Sequence, residues 1–168
     1  MCGIVGYTGS RPVTDILMEG LSRLEYRGYD SAGIAVEQDG KLEVVHCKGK
    51  VSGLAALVAP LGLTGTCGIG HTRWATHGRP SEANAHPHVS CDGHVAVVHN
   101  GIIENYAELR EELEGRGHAF TSETDTEVIA HLVEEAYGGD YDLLQAVREA
   151  TERLIGAYAL AVVSDREP

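Results

Sequence analysis

The residue most able to do chemistry in this 168-residue chain stands second: Cys2, directly after the initiator methionine and ahead of Gly3-Ile4-Val5-Gly6-Tyr7. Once the methionine is removed, one residue carries both a thiol and a free α-amine, a nucleophile with its own base, which is a recognised route to covalent catalysis. In model compounds the amine titrates near ~7.7–8.0 and the thiol near ~8.5, so neither needs much tuning to work at neutral pH. Taken alone, a cysteine at a strand end is more often a small buried hydrophobe. Asn100-Gly101 also reads two ways, as an ordinary bend or as a pair of hydrogen-bond donors at the end of a strand. Six of the nine histidines lie between His71 and His99, yet no HExxH or cysteine-linked spacing accompanies them. His86 and His88 therefore read as loop structure, Cys47, Cys67 and Cys91 as inert thiols, and no metal is expected.

Elements must bring such groups together. Arg11-Pro12 opens a helix whose apolar residues Val13, Ile16, Leu17, Leu21 and Leu24 form one stripe, ending at Arg27-Gly28. Asp39-Gly40 between two apolar runs predicts a hairpin. Residues 51–61 read as a short helix and 65–72 as a glycine-rich strand. The aperiodic stretch 73–93 is long for a loop in a compact domain and is expected to be a lid. A strand over 94–99, helices over 103–115, from 122–127 onward and over 142–154, and a buried strand over 156–163 complete the chain. Runs of strands with paired helices between them predict an α+β fold with antiparallel sheets.

Composition excludes several classes. With 43% hydrophobic and 23% charged residues the chain is globular in type. No apolar run is long enough to span a membrane, and no basic-then-apolar leader is present, so a cytoplasmic protein is expected. The net charge of −12 argues against nucleic acid or an anionic membrane as partner. Residues 101–168 hold 16 acidic and 5 basic side chains, against 9 and 8 in residues 1–100; the excess is a solvated face of the later helices rather than a site.

Five segments in order, MCGIVGY, LEYRGYDSAG (24–33), GIGHTRWATHG (68–78), HNGIIENY (99–106) and SETDTEV (122–128), make the chain resemble the class II, N-terminal-nucleophile glutamine amidotransferases. LEYRGYDSAG and TRWATHG resemble the branch that makes glucosamine 6-phosphate, more than the phosphoribosyl-pyrophosphate or asparagine branches. The resemblance implies a four-layer αββα sandwich of antiparallel sheets. It implies hydrolysis of L-glutamine through a Cys2 thioester, with ammonia passed to fructose 6-phosphate on sugar-isomerase domains absent from residues 1–168, and an amidotransferase domain incomplete at its C-terminus. It carries Asn100 and Gly101 over as the oxyanion hole, Arg27 as a neighbour of the nucleophile, Arg73 and Asp125 as binders of the substrate carboxylate and ammonium, and Trp74, Thr76 and His77 as parts of the segment that closes over glutamine. No cofactor is implied, and a homo-oligomer is left open for the full-length form. The chemistry suits these types: a guanidinium forks onto a carboxylate, and an ammonium needs a counter-charge. Two other readings stay open, an amidotransferase serving another acceptor and a non-catalytic glutamine-binding or assembly fragment.

Overall fold

The computed structural model describes residues 2–74, 79–138 and 142–168. Two antiparallel sheets face each other. The first takes the order β1 (Gly3–Thr8), β4 (Cys67–Arg73), β2 (Ser31–Gln38), β3 (Lys41–Lys48); the second takes β5 (His88–Val89), β6 (Val95–Gly101), β7 (Tyr158–Ser164). Helices α1 (Val13–Leu24) and α2 (Val51–Val58) cover the first sheet, while α3 (Tyr106–Gly115), α4 (Glu127–Tyr137) and α5 (Leu143–Glu152) pack with the second. The expected helix-sheet-sheet-helix layering is the one observed.

Side-chain alternation along the strands sorts residues into these layers. On β2, Ile34 and Val36 join Leu17, Leu21 and Leu54 of the helices, while Ala35 between them faces the other sheet. On β6, Val95 and Val97 join Val128, Ile129 and Leu132 under α4, while Ala96 and Val98 meet Ile69 and Val163 between the sheets. Ala35 and Ala96 stand among the Ile and Val side chains of that inner seam, and where glycine stands instead the chains approach closely. Gly33, at the middle of β2, is one such point: a methyl group there would run into the His86 carbonyl oxygen and lie 2.9 Å from that of Val45. Gly33→Ala is expected to cost about 1–3 kcal/mol, a fall of roughly 2–10 °C in thermal midpoint. Gly6→Ala, whose added methyl meets only Ile69 at an ordinary 3.9 Å, should be close to neutral; equal effects from the two would refute the close-approach account.

The Asp39-Gly40 hairpin forms as its sequence predicts, with both residues at positive φ, 54° and 77°. Other boundaries move, for reasons in the packing. Asn100-Gly101 is no bend: β6 runs through both, paired with Ala159 and Tyr158 of β7. The helix expected from Ile103 starts at Tyr106, because the Ile103 N–H donates to the Asp125 carboxylate at 2.9 Å. Segment 122–126 precedes rather than opens α4. Glu127 reaches back from the first helical position and accepts from the Thr121 and Ser122 N–H groups at 2.8 and 2.7 Å. The expected lid is only partly a loop. Residues 84–90 turn inward, Asn84 to His88 are buried, and β5 pairs with β6.

Candidate active site

The register of β1 on β4, Gly3 opposite Thr72, puts Cys2 and Arg73 at the same sheet end. Gly3 is obligatory here, since a side chain would collide with Leu24 and Thr72 at 2.8 Å. The Trp74 N–H donates to Cys2 Sγ at 3.1 Å, and the sulfur lies 3.5 Å from the Trp74 carbonyl oxygen. The thiol is thus held by backbone in the lining of a cavity of about 670 Å³, large enough for one amino acid. Of the residues expected in a site, Cys2, Arg27, Arg73, Trp74, Asn100, Gly101 and Asp125 all line it. Thr76 and His77 lie outside the described residues.

Asn100 arrives from the other sheet, at the end of β6. Its Oδ1 sits 2.9 Å from His71 Nε2, and its Nδ2 points to the Cys2 carbonyl oxygen at 3.5 Å. Burial holds the His71 pKa down to about 4, so the ring is neutral near pH 7, and facing an amide oxygen its Nε2 is the nitrogen that carries the proton. The Asn100 amide thus faces its oxygen to the histidine and its nitrogen to the Cys2 backbone carbonyl. Gly101 follows at φ 126°, a conformation that favours glycine, and a Cβ there would strike the Ala157 carbonyl.

Arg73 is 4% exposed, with Asp30 at 4.0 Å, and Asp125, equally buried, lines the same cavity. A cation and an anion that line one cavity together with a thiol can hold a zwitterion by both charged ends. Trp74, more often a core residue by type, is half exposed at 54% and stacks its ring over Gly28, where a Cβ would be 2.6 Å from Cε3.

The sequence reading missed a layer of histidines beneath this floor. His71 and His86 stack at 4.4 Å between centroids, and His86 meets His88 edge-on at 4.9 Å. His99 Nδ1 lies 2.9 Å from Thr126 Oγ1, and His88 Nε2 2.8 Å from Thr124 Oγ1. His86 and His99 line the cavity together with Thr124, Thr126 and Tyr158. Burial lowers all four pKa values, that of His88 to about 3. They are neutral positioning groups, not general bases. Their clustering in sequence was the available signal; only the inward turn of residues 84–90 gave it meaning.

A different group of side chains could hold a metal: Cys91, His118, His131 and Glu134 present ligand atoms within 4.8 Å of one another. None of the four lines the cavity. Cys91 is therefore not the isolated thiol its spacing suggested.

A family model described as "Glutamine amidotransferase domain" matches residues 71–168. The chain is 61% identical over 165 residues to a glutamine--fructose-6-phosphate aminotransferase [isomerizing] of Thermus thermophilus, covering 98% of the chain and 27% of that protein. It is 60% identical over 168 residues to the enzyme of the same name from Symbiobacterium thermophilum, again covering 27% of it. Among solved structures, the glutamine phosphoribosylpyrophosphate amidotransferase from B. subtilis superposes with a TM-score of 0.82 at 30% identity, over 98% of this chain and 35% of that one. The chain thus spans about a quarter of the length of the curated relatives it matches.

Proposed function

Because the chain belongs to the class II glutamine amidotransferase family, we propose that it hydrolyses L-glutamine to glutamate and ammonia through a thioester on Cys2. The observation carrying this is that five residues scattered over 123 positions of sequence, Cys2, Arg73, Asn100, Gly101 and Asp125, line one cavity.

In this reading the chain's methionine is removed and the Cys2 α-amine takes the thiol proton. Arg73 grips the substrate α-carboxylate in a two-point contact and Asp125 its ammonium, which lays the side-chain amide against the sulfur. Sγ attacks the amide carbon, and the carbonyl oxygen becomes an oxyanion between Asn100 Nδ2 and the Gly101 N–H. The tetrahedral adduct collapses with cleavage of the C–N bond, and the α-ammonium gives the proton that lets ammonia leave. Water, deprotonated by the same amine, then attacks the thioester; the C–S bond breaks and glutamate departs. His71 presets the Asn100 donor before the charge develops, so no reorganisation is required at that moment. The Trp74 N–H on Cys2 Sγ favours the thiolate in the same way. Arg27 lines the cavity, and in this reading it shapes the approach to the nucleophile.

The names of the relatives support fructose 6-phosphate as the ammonia acceptor, bound on domains beyond these residues. We infer that residues 1–168 are the amide-hydrolysing part of such an enzyme.

Asn100→Ala tests the reading through glutamate release from L-glutamine. Loss of one oxyanion donor is expected to lower kcat by about 10²–10³-fold while KM changes far less. Normal turnover in that variant would remove Asn100 from the reaction, and absence of glutamate release by the unaltered chain, with its N-terminal cysteine free, would remove the function itself.

A further inference from the structure

Away from the cavity, three segments meet in a second constellation. Cys91 sits at the tip of the β5–β6 hairpin, His118 in the α3–α4 connection, and His131 and Glu134 one turn apart on α4. Cys91 Sγ is 3.7 Å from His118 Nδ1 and 3.6 Å from His131 Nδ1. Glu134 Oε2 is 3.2 Å from His118 Nδ1 and 3.3 Å from His131 Nδ1. Zn–S bonds of about 2.3 Å and Zn–N or Zn–O bonds of about 2.0–2.2 Å at tetrahedral angles require S···N edges near 3.5 Å and N···O edges near 3.4 Å. All four measured edges fall within a few tenths of an ångström of those values. The geometry points to a structural zinc site formed by Cys91 Sγ, His118 Nδ1, His131 Nδ1 and Glu134 Oε2.

The surroundings fit. His131 is 1% exposed, and its other ring nitrogen, Nε2, has no hydrogen-bond partner among the described residues and faces the Glu127 carboxylate at 3.9 Å. A carboxylate behind a ligating imidazole is the usual outer partner of a zinc histidine. Glu127 itself is anchored by Thr121 and Ser122, and His118 Nε2 has Glu135 at 3.4 Å. Glu134 is aimed by the Cys91 and Asp92 N–H groups, at 3.0 and 2.9 Å, and the Ala119 N–H donates to Cys91 Sγ at 3.4 Å, as backbone amides do to a metal thiolate. One thiolate, two imidazoles and one carboxylate are a donor set for zinc rather than for magnesium or calcium, which take oxygen alone. Binding displaces the Cys91 thiol proton to solvent. The ion fastens a hairpin tip and a helix connection to α4, the helix that begins two residues after Asp125.

The test uses the full chain in a Cys2→Ala background, so that metal on the nucleophile is not counted. Equilibrium titration with zinc alone is expected to give one ion per chain and, at 100 times Kd, a thermal midpoint raised by about 5–10 °C. Cobalt is expected to show four-coordinate ligand-field bands and a thiolate charge-transfer band. Cys91→Ser should abolish the charge-transfer band. His118→Gln, at a less demanding position, should weaken zinc binding by more than the roughly 10–100-fold that loss of an outer partner costs. His94→Ala, outside the cluster, should change nothing. Substoichiometric binding, or one-to-one binding that survives both Cys91→Ser and His118→Gln, would overturn the assignment and leave the four groups as a hydrogen-bonded network.

Discussion

Cys2→Ala is expected to reduce glutamate release from L-glutamine by at least about 10⁴-fold, because removal of a nucleophile from a covalent mechanism leaves only binding and the oxyanion donors. Fold and cavity should be unchanged, since Cys2 is held only through its sulfur and its backbone. A glutamine-analogue electrophile should mark one thiol of the four in the unaltered chain and none of the other three in the variant. The experiment also separates catalysis from simple glutamine binding: the variant should retain glutamine affinity through Arg73 and Asp125 while losing turnover. A chain that retains its N-terminal methionine should behave like the variant, its amine having become an amide without basicity. Labelling at Cys47, Cys67 or Cys91 instead, or turnover surviving the substitution, would end the thioester mechanism.

Acid should unfold this protein well before its carboxylates titrate. His71 and His88 are depressed to about 4 and about 3 by burial, from an unfolded value near 6.5, and His86 and His99 are lowered for the same reason. A histidine whose folded pKa is depressed binds fewer protons folded than unfolded in the window between the two values. Its contribution to stability is therefore complete above about pH 6.5 and is lost as pH falls toward the folded value. Each such site removes about 1.4 kcal/mol per pH unit. His71 and His88 together withdraw stability on the order of several kcal/mol as pH falls from 6.5 toward 4, a large share of what an ordinary domain has. Glu127, which Ser122 and Thr121 hold below the usual carboxylate range against the cost of its burial, adds to the loss at the acid end. Chemical denaturation from pH 7.5 to 4.5 should show stability dropping from about pH 6.5 downward. His88→Asn should be less stable at pH 7.5 yet flatter by about one proton across the window. A profile flat to pH 4.5 in the unaltered chain would show that these rings are hydrated or paired.

How far the sequence reached is clearest in particular residues. Asp39-Gly40 specified its hairpin, and the stripe from Val13 to Leu24 its helix, because turn chemistry and helical period are local properties. The five family segments hold Cys2, Arg27, Arg73, Trp74, Asn100, Gly101 and Asp125, which all line one cavity, but they did not single out His86, His99, Thr124, Thr126 and Tyr158, which line it with them. The same reading left Asn100-Gly101 open between a bend and donors at a strand end, and the pairing of both residues with β7 decides against the bend. It made 73–93 a lid, because nothing local says that Ala85 and His86 are the ones to turn inward. His71, the residue that orients Asn100, looked like one more strand position.

The residue types that can act, and the periodicity that builds two sheets and their helices, are written in the chain itself, since backbone preference and side-chain alternation act over a few residues. Three things were decided only by folding. These are the face Asn100 presents, the neutrality of the histidines beneath it, and the convergence of Cys91, His118, His131 and Glu134. Each depends on partners as far as 43 positions apart, and on dehydration that exists only once the sheets have closed on each other.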